Sequence, residues 1–181
     1  LFGGFYVVSP VTPVLLNDTW EWDGTTWAQR FPLSPPPART DPAMTYDSSR
    51  SRTLLYGGNA TRVFFDDTWE WDGTSWTRTH PAISPGARAA SAIAFDEMRL
   101  TVVLTGGFGS GYSVVADTWE RKGGVWAKVN ADLGPSGREL APMTFDSVRA
   151  CSLLFGGQSY STRALLSDLW EWTGSEWSLR D

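Results

Sequence analysis

The stretch Asp67-Thr68-Trp69-Glu70-Trp71-Asp72-Gly73 decides how this chain is read. Side chains two apart in an extended strand share a face, so Trp69 and Trp71 point one way and Glu70 the other. Asp-Gly directly afterwards is a turn signal, and Trp76 restarts a strand behind it. One strand, a tight turn and a return strand are thus expected over a dozen residues. Its opening Asp-Thr-Trp recurs at Asp18, Asp67 and Asp117, and Asp168-Leu169-Trp170 is a fourth copy, at intervals of 49, 50 and 51 residues. A further Trp follows the first by seven each time, at Trp27, Trp76, Trp126 and Trp177.

Working outward, Gly-Gly pairs precede each copy at Gly3-Gly4, Gly57-Gly58, Gly106-Gly107 and Gly156-Gly157. Arg39, Arg88 and Arg138 open the later copies. Tyr46-Asp47, Phe95-Asp96 and Phe145-Asp146 follow them by seven, and Arg50, Arg99 and Arg149 come next. Self-similarity at such a period is the mark of a repeat architecture. In the second copy, strands are expected at 43–46, 53–56 and 68–71 and around Trp76. The Pro-rich links, such as residues 31–37, cannot pair in a sheet and must leave it. No stretch sustains a 3.6-residue period, so the chain reads as all-β, built from four-stranded antiparallel units. One such sheet cannot bury both faces, and stacked copies can.

Composition agrees. The 181 residues include 11 Trp, 18 Gly and 11 Pro, with only 19% charged and just two Lys, Lys122 and Lys128. The Trp residues are expected between stacked sheets, where each buries roughly 150–250 Å². Arg121 replaces the Trp22-type residue in the third copy, which marks that contact as different. A net charge of −5 removes the electrostatic case for nucleic acid or anionic membrane. No apolar run reaches a membrane span, and no signal peptide is visible.

With these residues in view, the chain resembles the kelch repeat family. The carriers are Leu54-Leu55-Tyr56-Gly57-Gly58, Asp67 to Asp72, and Trp76, opened by Arg39; the same frame recurs at residues 153–157, 168–172 and Trp177, opened by Arg138. The Thr-Trp-Glu-Trp-Asp-Gly version is similar to repeats of bacterial kelch proteins. The resemblance implies a β-propeller, a radial array of four-stranded blades, and an exported or cell-surface setting. The units are 39–76, 88–126 and 138–177, with a partial first unit at 1–27 in which the Arg, the first strand and its turn are missing. Three readings of that arrangement stay open: a piece of a larger propeller, a ring completed by a second chain as a homo-oligomer, and a four-bladed ring with one deficient blade.

The resemblance also raises enzyme chemistry, because kelch proteins include a copper radical oxidase. That site requires two His, Tyr ligands and a Tyr–Cys crosslink. Here there is one His, His80, in a link before Pro81, and one Cys, Cys151, at the start of a strand. The same count rules out a zinc site within the chain, and no Asp-containing loop has the density of a calcium loop. No cofactor, metal or catalytic residue is therefore expected. Asp67 and its equivalents are expected to cap turns or strand edges. Glu21, Glu70, Glu120 and Glu171 are expected to pair with Arg of a neighbouring strand. Arg39, Arg88 and Arg138 either form a basic ring or serve the fold.

Function is sought where the copies differ. The links between Gly-Gly and Asp-Thr-Trp have unequal lengths, at residues 5–17, 59–66, 108–116 and 158–167. They carry Tyr6, Arg62, Phe64, Phe65, Tyr112, Tyr160 and Arg163, and aromatic residues and Arg are favoured binding anchors. The chain is expected to be a non-catalytic binding or assembly scaffold that contacts a protein or glycan through this loop face. A carbohydrate-active enzyme and a purely structural, self-associating repeat arc are the alternatives.

Overall fold

The β-branched and aromatic side chains that flank each Gly-Gly pair and each Asp-Thr-Trp fold as antiparallel strands. The computed structural model describes residues 1–9, 12–61, 63–109, 113–130, 133–159 and 162–180, and is all-β with no helix among them. The first sheet joins β1 (Phe2–Ser9), β2 (Thr12–Trp22) and β3 (Trp27–Arg30) in that order. The second contains β4 (Ala43–Asp47) and β5 (Arg52–Tyr56). A small pair, β6 (Asn59–Ala60) and β7 (Val63–Phe64), precedes its other strands, β8 (Thr68–Trp71) and β9 (Trp76–Thr79). Its order is β4-β5-β8-β9.

The third sheet repeats this plan. A short β10 (Arg88–Ala89) leads into β11 (Ala92–Asp96) and β12 (Thr101–Thr105); β13 (Phe108–Gly109) pairs with β10, and β14 (Thr118–Lys122) and β15 (Val125–Val129) complete the order β11-β12-β14-β15. The fourth is β16 (Met143–Asp146), β17 (Cys151–Gln158), β18 (Leu165–Trp172) and β19 (Trp177–Arg180), paired in sequence. The strands expected in the second copy are found within a few residues of their expected ends. Among the described residues no helix is long and apolar enough to cross a membrane.

Two turns explain recurring residues. Asp47 Oδ1 accepts the backbone N–H groups of Ser49 and Arg50 at 3.1 and 3.2 Å, and Asp96 and Asp146 do the same for the residues two and three further on. This is the Asx turn that Asp favours. The Asp-Gly signal marks the expected turn between two paired strands. Trp71 pairs directly with Trp76, leaving residues 72–75 as the loop, and Asp72 Oδ1 accepts from the N–H groups of Thr74 and Ser75, each at 2.8 Å. At the equivalent position the third sheet has a two-residue turn. There Gly123 and Gly124, at φ of 58° and 90°, connect the paired Lys122 and Val125.

The core lies between sheets. Ala43, Leu54 and Tyr56 of the second sheet pack against Ile93, Phe95, Val102, Leu104, Trp119 and Trp126 of the third. Ala92 and Val103, on the opposite face of the third sheet, pack against Leu154, Trp172 and Trp177 of the fourth. Phe2 of the first meets Leu55, Trp71 and Trp76 of the second. Polar contacts repeat with the same polarity. The indole N–H of Trp76 donates to Thr19 Oγ1 at 2.9 Å, that of Trp126 to Thr68 Oγ1 at 3.1 Å, and that of Trp177 to Thr118 Oγ1 at 2.9 Å. Trp71 and Trp172 donate to Glu21 and Glu120 of the preceding sheet at 2.7 and 2.9 Å. In the third sheet Arg121 takes the Trp position, and its Nη2 reaches Glu70 Oε1 at 2.7 Å. The substitution keeps a donor where the indole N–H stands in the other sheets.

The expected Arg partners of the Glu residues are present as well. Arg50 pairs with Glu70, Arg99 with Glu120, Arg149 and Arg180 with Glu171, and Arg30 with Glu21. A Trp buried between sheets contributes about 4–6 kcal/mol of gross hydrophobic free energy. Trp126→Ala is therefore expected to cost about 3–5 kcal/mol. Trp27→Ala, at a side chain 54% exposed, should cost about 1 kcal/mol or less. Urea unfolding of both variants checks the contrast, and equal losses would contradict the sheet-to-sheet core.

Candidate functional site

The loop ends of the second, third and fourth sheets are each built on one ion pair. Arg39 is fully buried; its Nη1 donates to Asp67 Oδ1 at 2.6 Å and to the Gly57 carbonyl at 2.8 Å, and its Nη2 donates to Asp67 Oδ2 at 3.0 Å. Trp69 Nε1 donates to the same Asp67 Oδ2 at 2.7 Å. Arg88 grips Asp117 and the Gly106 carbonyl in this way, and Arg138 grips Asp168 and the Gly156 carbonyl. Arg88 Nη2 also donates to the Pro85 carbonyl. The recurring Asp is thus the partner of a buried guanidinium, which is more than the turn or strand-edge cap expected of it. Arg39, Arg88 and Arg138 are structural and form no free basic ring.

The backbone of each Arg serves the neighbouring sheet. Arg39 N–H donates to the Leu16 carbonyl at 3.1 Å, and its own carbonyl accepts from Gly4 at 2.9 Å. Arg88 makes the same two bonds with Phe65 and Gly58, and the Arg138 carbonyl accepts from Gly107 at 2.8 Å. One residue thereby stitches two sheets, its guanidinium in one and its peptide in the other. This explains the Gly-Gly pairs. A Cβ on Gly57 would lie 2.3 Å from the Arg88 carbonyl oxygen, one on Gly3 2.7 Å from that of Arg39, and one on Gly106 2.6 Å from that of Arg138. All three also hold φ between 63° and 69°, where side chains other than Gly are strained.

Burial by itself would raise the carboxyls of Asp67 and Asp117. The hydrogen bonds from Arg39 and Trp69, and from Arg88 and Trp119, outweigh it and hold both below the usual carboxylate range. At the more open Asp168 the Arg138 hydrogen bonds dominate over burial and bring the carboxyl down to about 2.

Of the residues expected on the loop face, Arg62, Tyr112 and Tyr160 lie outside the described residues. Phe64, in β7, is half-buried and meets Phe108 edge-to-face with ring centroids 5.3 Å apart. Phe65 lies under the Arg39 guanidinium, 3.9 Å from ring centre to Cζ, and its carbonyl accepts from Arg88. These two rings hold the ends of the second and third sheets together. Arg163 is exposed in the link between β17 and β18 at φ 54°, and its carbonyl accepts from Gln158 Nε2 at 3.3 Å. Its charge counters the burial that raises the Glu139 carboxyl, while Asp41 adds to the rise.

Tyr6 is 51% exposed and sits opposite Val14 in a hairpin longer than any expected. Residues 5–17 are read from sequence as a loop. In the structure β1 and β2 run on through them, pairing Phe5 with Leu15 and Val7 with Pro13. Phe5, Tyr6, Val7 and Val8 are consecutive and each more than half exposed, so both faces of the hairpin present apolar side chains to solvent. The signal for these additional residues was present in the apolar runs Phe5-Tyr6-Val7-Val8 and Val14-Leu15-Leu16. β17 and β18 extend likewise, ending in the pair Gln158 and Leu165. Cys151 is buried at the start of β17, where burial pushes its thiol up. Among the described residues no group of three or more His, Cys, Asp or Glu gathers as a metal-ligand set.

No protein-family model matches the sequence, and no curated protein matches it. The fold is similar to that of a solved structure, that of YjhT, with a TM-score of 0.69 and 17% sequence identity. The alignment covers 92% of this chain and 53% of the other, so the chain spans about half the length of the structure it matches.

Removing Arg39 strands a buried carboxylate, and Arg39→Ala is expected to cost about 3–5 kcal/mol, measured by urea unfolding. The depressed Asp168 pKa contributes stability that is complete above its ordinary value of 3.8 and lost as pH falls through about 2. The stability gap between the parent chain and Asp168→Asn should therefore narrow from pH 4 to pH 2 in urea midpoints taken across that range.

Proposed function

We propose that the chain forms a kelch-type β-propeller, or an arc of one, and acts as a non-catalytic binding or assembly scaffold that contacts a protein or glycan through its loop end. Two features support the propeller reading. The sheets stack in one sense, each Trp face against the Thr and Glu face of the sheet before. Asp41, Ala90 and Leu140, at equivalent places in their repeats and all at positive φ, are joined in a backbone chain: Ala90 N–H donates to the Asp41 carbonyl at 2.9 Å and Leu140 N–H to the Ala90 carbonyl at 3.0 Å. Such neighbour-to-neighbour bonding at one repeated position suits sheets radiating from a common axis.

The observation that carries the functional reading is the β1–β2 hairpin. Phe5, Tyr6, Val7 and Val8 project from a frame whose other three sheets each hold a buried Arg–Asp pair at the base of their loops. Contiguous exposed apolar side chains mark interaction surfaces, and an aromatic pair on a pre-ordered strand loses little freedom on binding. Tyr6 is the residue foreseen for this role, and Phe5 joins it.

A glycan array and a displayed peptide library test the reading from both sides. At least one is expected to yield a ligand whose affinity falls about tenfold or more in a Phe5→Ala, Tyr6→Ala double variant, a loss of about 1.4 kcal/mol. The thermal midpoint should stay unchanged, since both side chains are exposed. Failure of both screens, or a ligand indifferent to the two substitutions, would refute the hairpin as the contact surface.

A further inference from the structure

Four departures of the third copy from the repeat frame line one cavity. Leu100 stands where the neighbouring copies have Ser51 and Ala150, and Val102 where they have Thr53 and Ser152. Arg121 replaces Trp71 and Trp172, and Lys122 replaces Asp72 and Thr173. The cavity holds about 320 Å³ between the second and third sheets, at the end that carries their short turns. That size falls at the small end of ligand sites, which span roughly 300–1,000 Å³. Two of the departures are apolar and two are cationic.

The apolar pair forms one wall. Val102 is buried and sits directly opposite Arg121 in the pairing of β12 with β14, so the two share a face. Leu100 is 53% exposed at φ 52°. Ser51 and Ala150 hold the same left-handed backbone with small side chains. A bulky residue is disfavoured there, and an exposed one gains little from the fold in return.

The cationic pair upsets a balance kept elsewhere. Around the cavity Arg50, Arg121 and Lys122 stand against two carboxylates, Asp47 and Glu70. Asp47 is committed to its turn through Ser49 and Arg50, and Glu70 already accepts both Nη atoms of Arg50. At the same place between the third and fourth sheets, Arg99 faces two carboxylates, Asp96 and Glu120. Arg121 gives Nη2 to Glu70 and keeps a buried Nε with no hydrogen-bond partner. A buried donor of a charged group is costly to leave unpaired.

We propose that this cavity binds a small organic carboxylate with a short apolar body. The carboxylate lies among Arg121, Lys122 and Arg50, where a guanidinium supplies charge-assisted hydrogen bonds. The apolar body rests on Leu100 and Val102. The site lies at the turn end of the sheets, away from the β1–β2 hairpin, and either surface can fail without the other.

The test uses the parent chain and 4-phenylbutyrate, with 4-phenylbutanol as its uncharged counterpart. Saturable shifts in two-dimensional NMR spectra are expected at Leu100, Val102 and the Arg121 Nε–H. The alcohol should bind about tenfold more weakly or worse. Arg121→Trp and Lys122→Asp restore residues that the second copy already carries in the same fold. Each should weaken binding of 4-phenylbutyrate about tenfold or more, with the thermal midpoint kept or raised. Absence of saturable binding would overturn the proposal, as would equal affinity for the alcohol. Binding that ignores both substitutions, or that shifts only residues remote from the cavity, would overturn it too.

Discussion

The fold depends on an indole N–H reaching across to the preceding sheet. In Thr68-Trp69-Glu70-Trp71 the acceptors Thr68 and Glu70 occupy one face and the Trp side chains the other. A strand of this pattern is complementary to another copy of itself, and only in one direction. The apolar bulk of the Trp residues supplies the burial. Thr and Glu supply partners for N–H groups that would otherwise be stranded in a dry interface. Each sheet can therefore stack on the last without an unsatisfied indole. Arg121 obeys the same rule by donating to Glu70 from the position of a Trp.

A second constraint holds the loop ends. The buried Arg39 binds Asp67 through its side chain and the first sheet through its peptide, so stacking and loop placement are fixed by the same residue. Gly57 is required because the peptide of Arg88 lies where a Cβ would be. The repeated Gly, Arg and Asp are three parts of one joint. The exposed β1–β2 hairpin is anchored at its base by the Arg39 peptide, which bonds Gly4 and Leu16, and is ordered along its length by its own strand pairing, which leaves a ligand little to impose.

Much of this was legible in the residue order. Repetition at about 50 residues revealed the sheets, and alternation located the strands to within a few residues. The lone Arg121 pointed to an altered contact. Other features were hidden because their partners are distant in sequence. Asp67 reads as a turn residue until Arg39, 28 positions away, is found on it. Phe64 and Phe65 read as exposed anchors until Phe108 and Arg39 are found against them. Residues 5–17 read as a loop because length variation was taken to mean irregularity, yet their apolar residues pair as strands. Asp72-Gly73 reads as a turn, and its length and the two backbone N–H groups that Asp72 satisfies within it are visible only in the structure.

By itself the sequence determined the all-β class, the four repeats and the faces of each strand. These follow from local rules, from period-two alternation and from turn chemistry, which act within a few residues. The tertiary structure alone decided which polar groups are partners and which aromatic residues are exposed. Trp22 and Trp71 stand at the same place in the same motif. One is 51% exposed and the other 6%, because burial belongs to what a neighbouring sheet places against a residue and not to the residue itself.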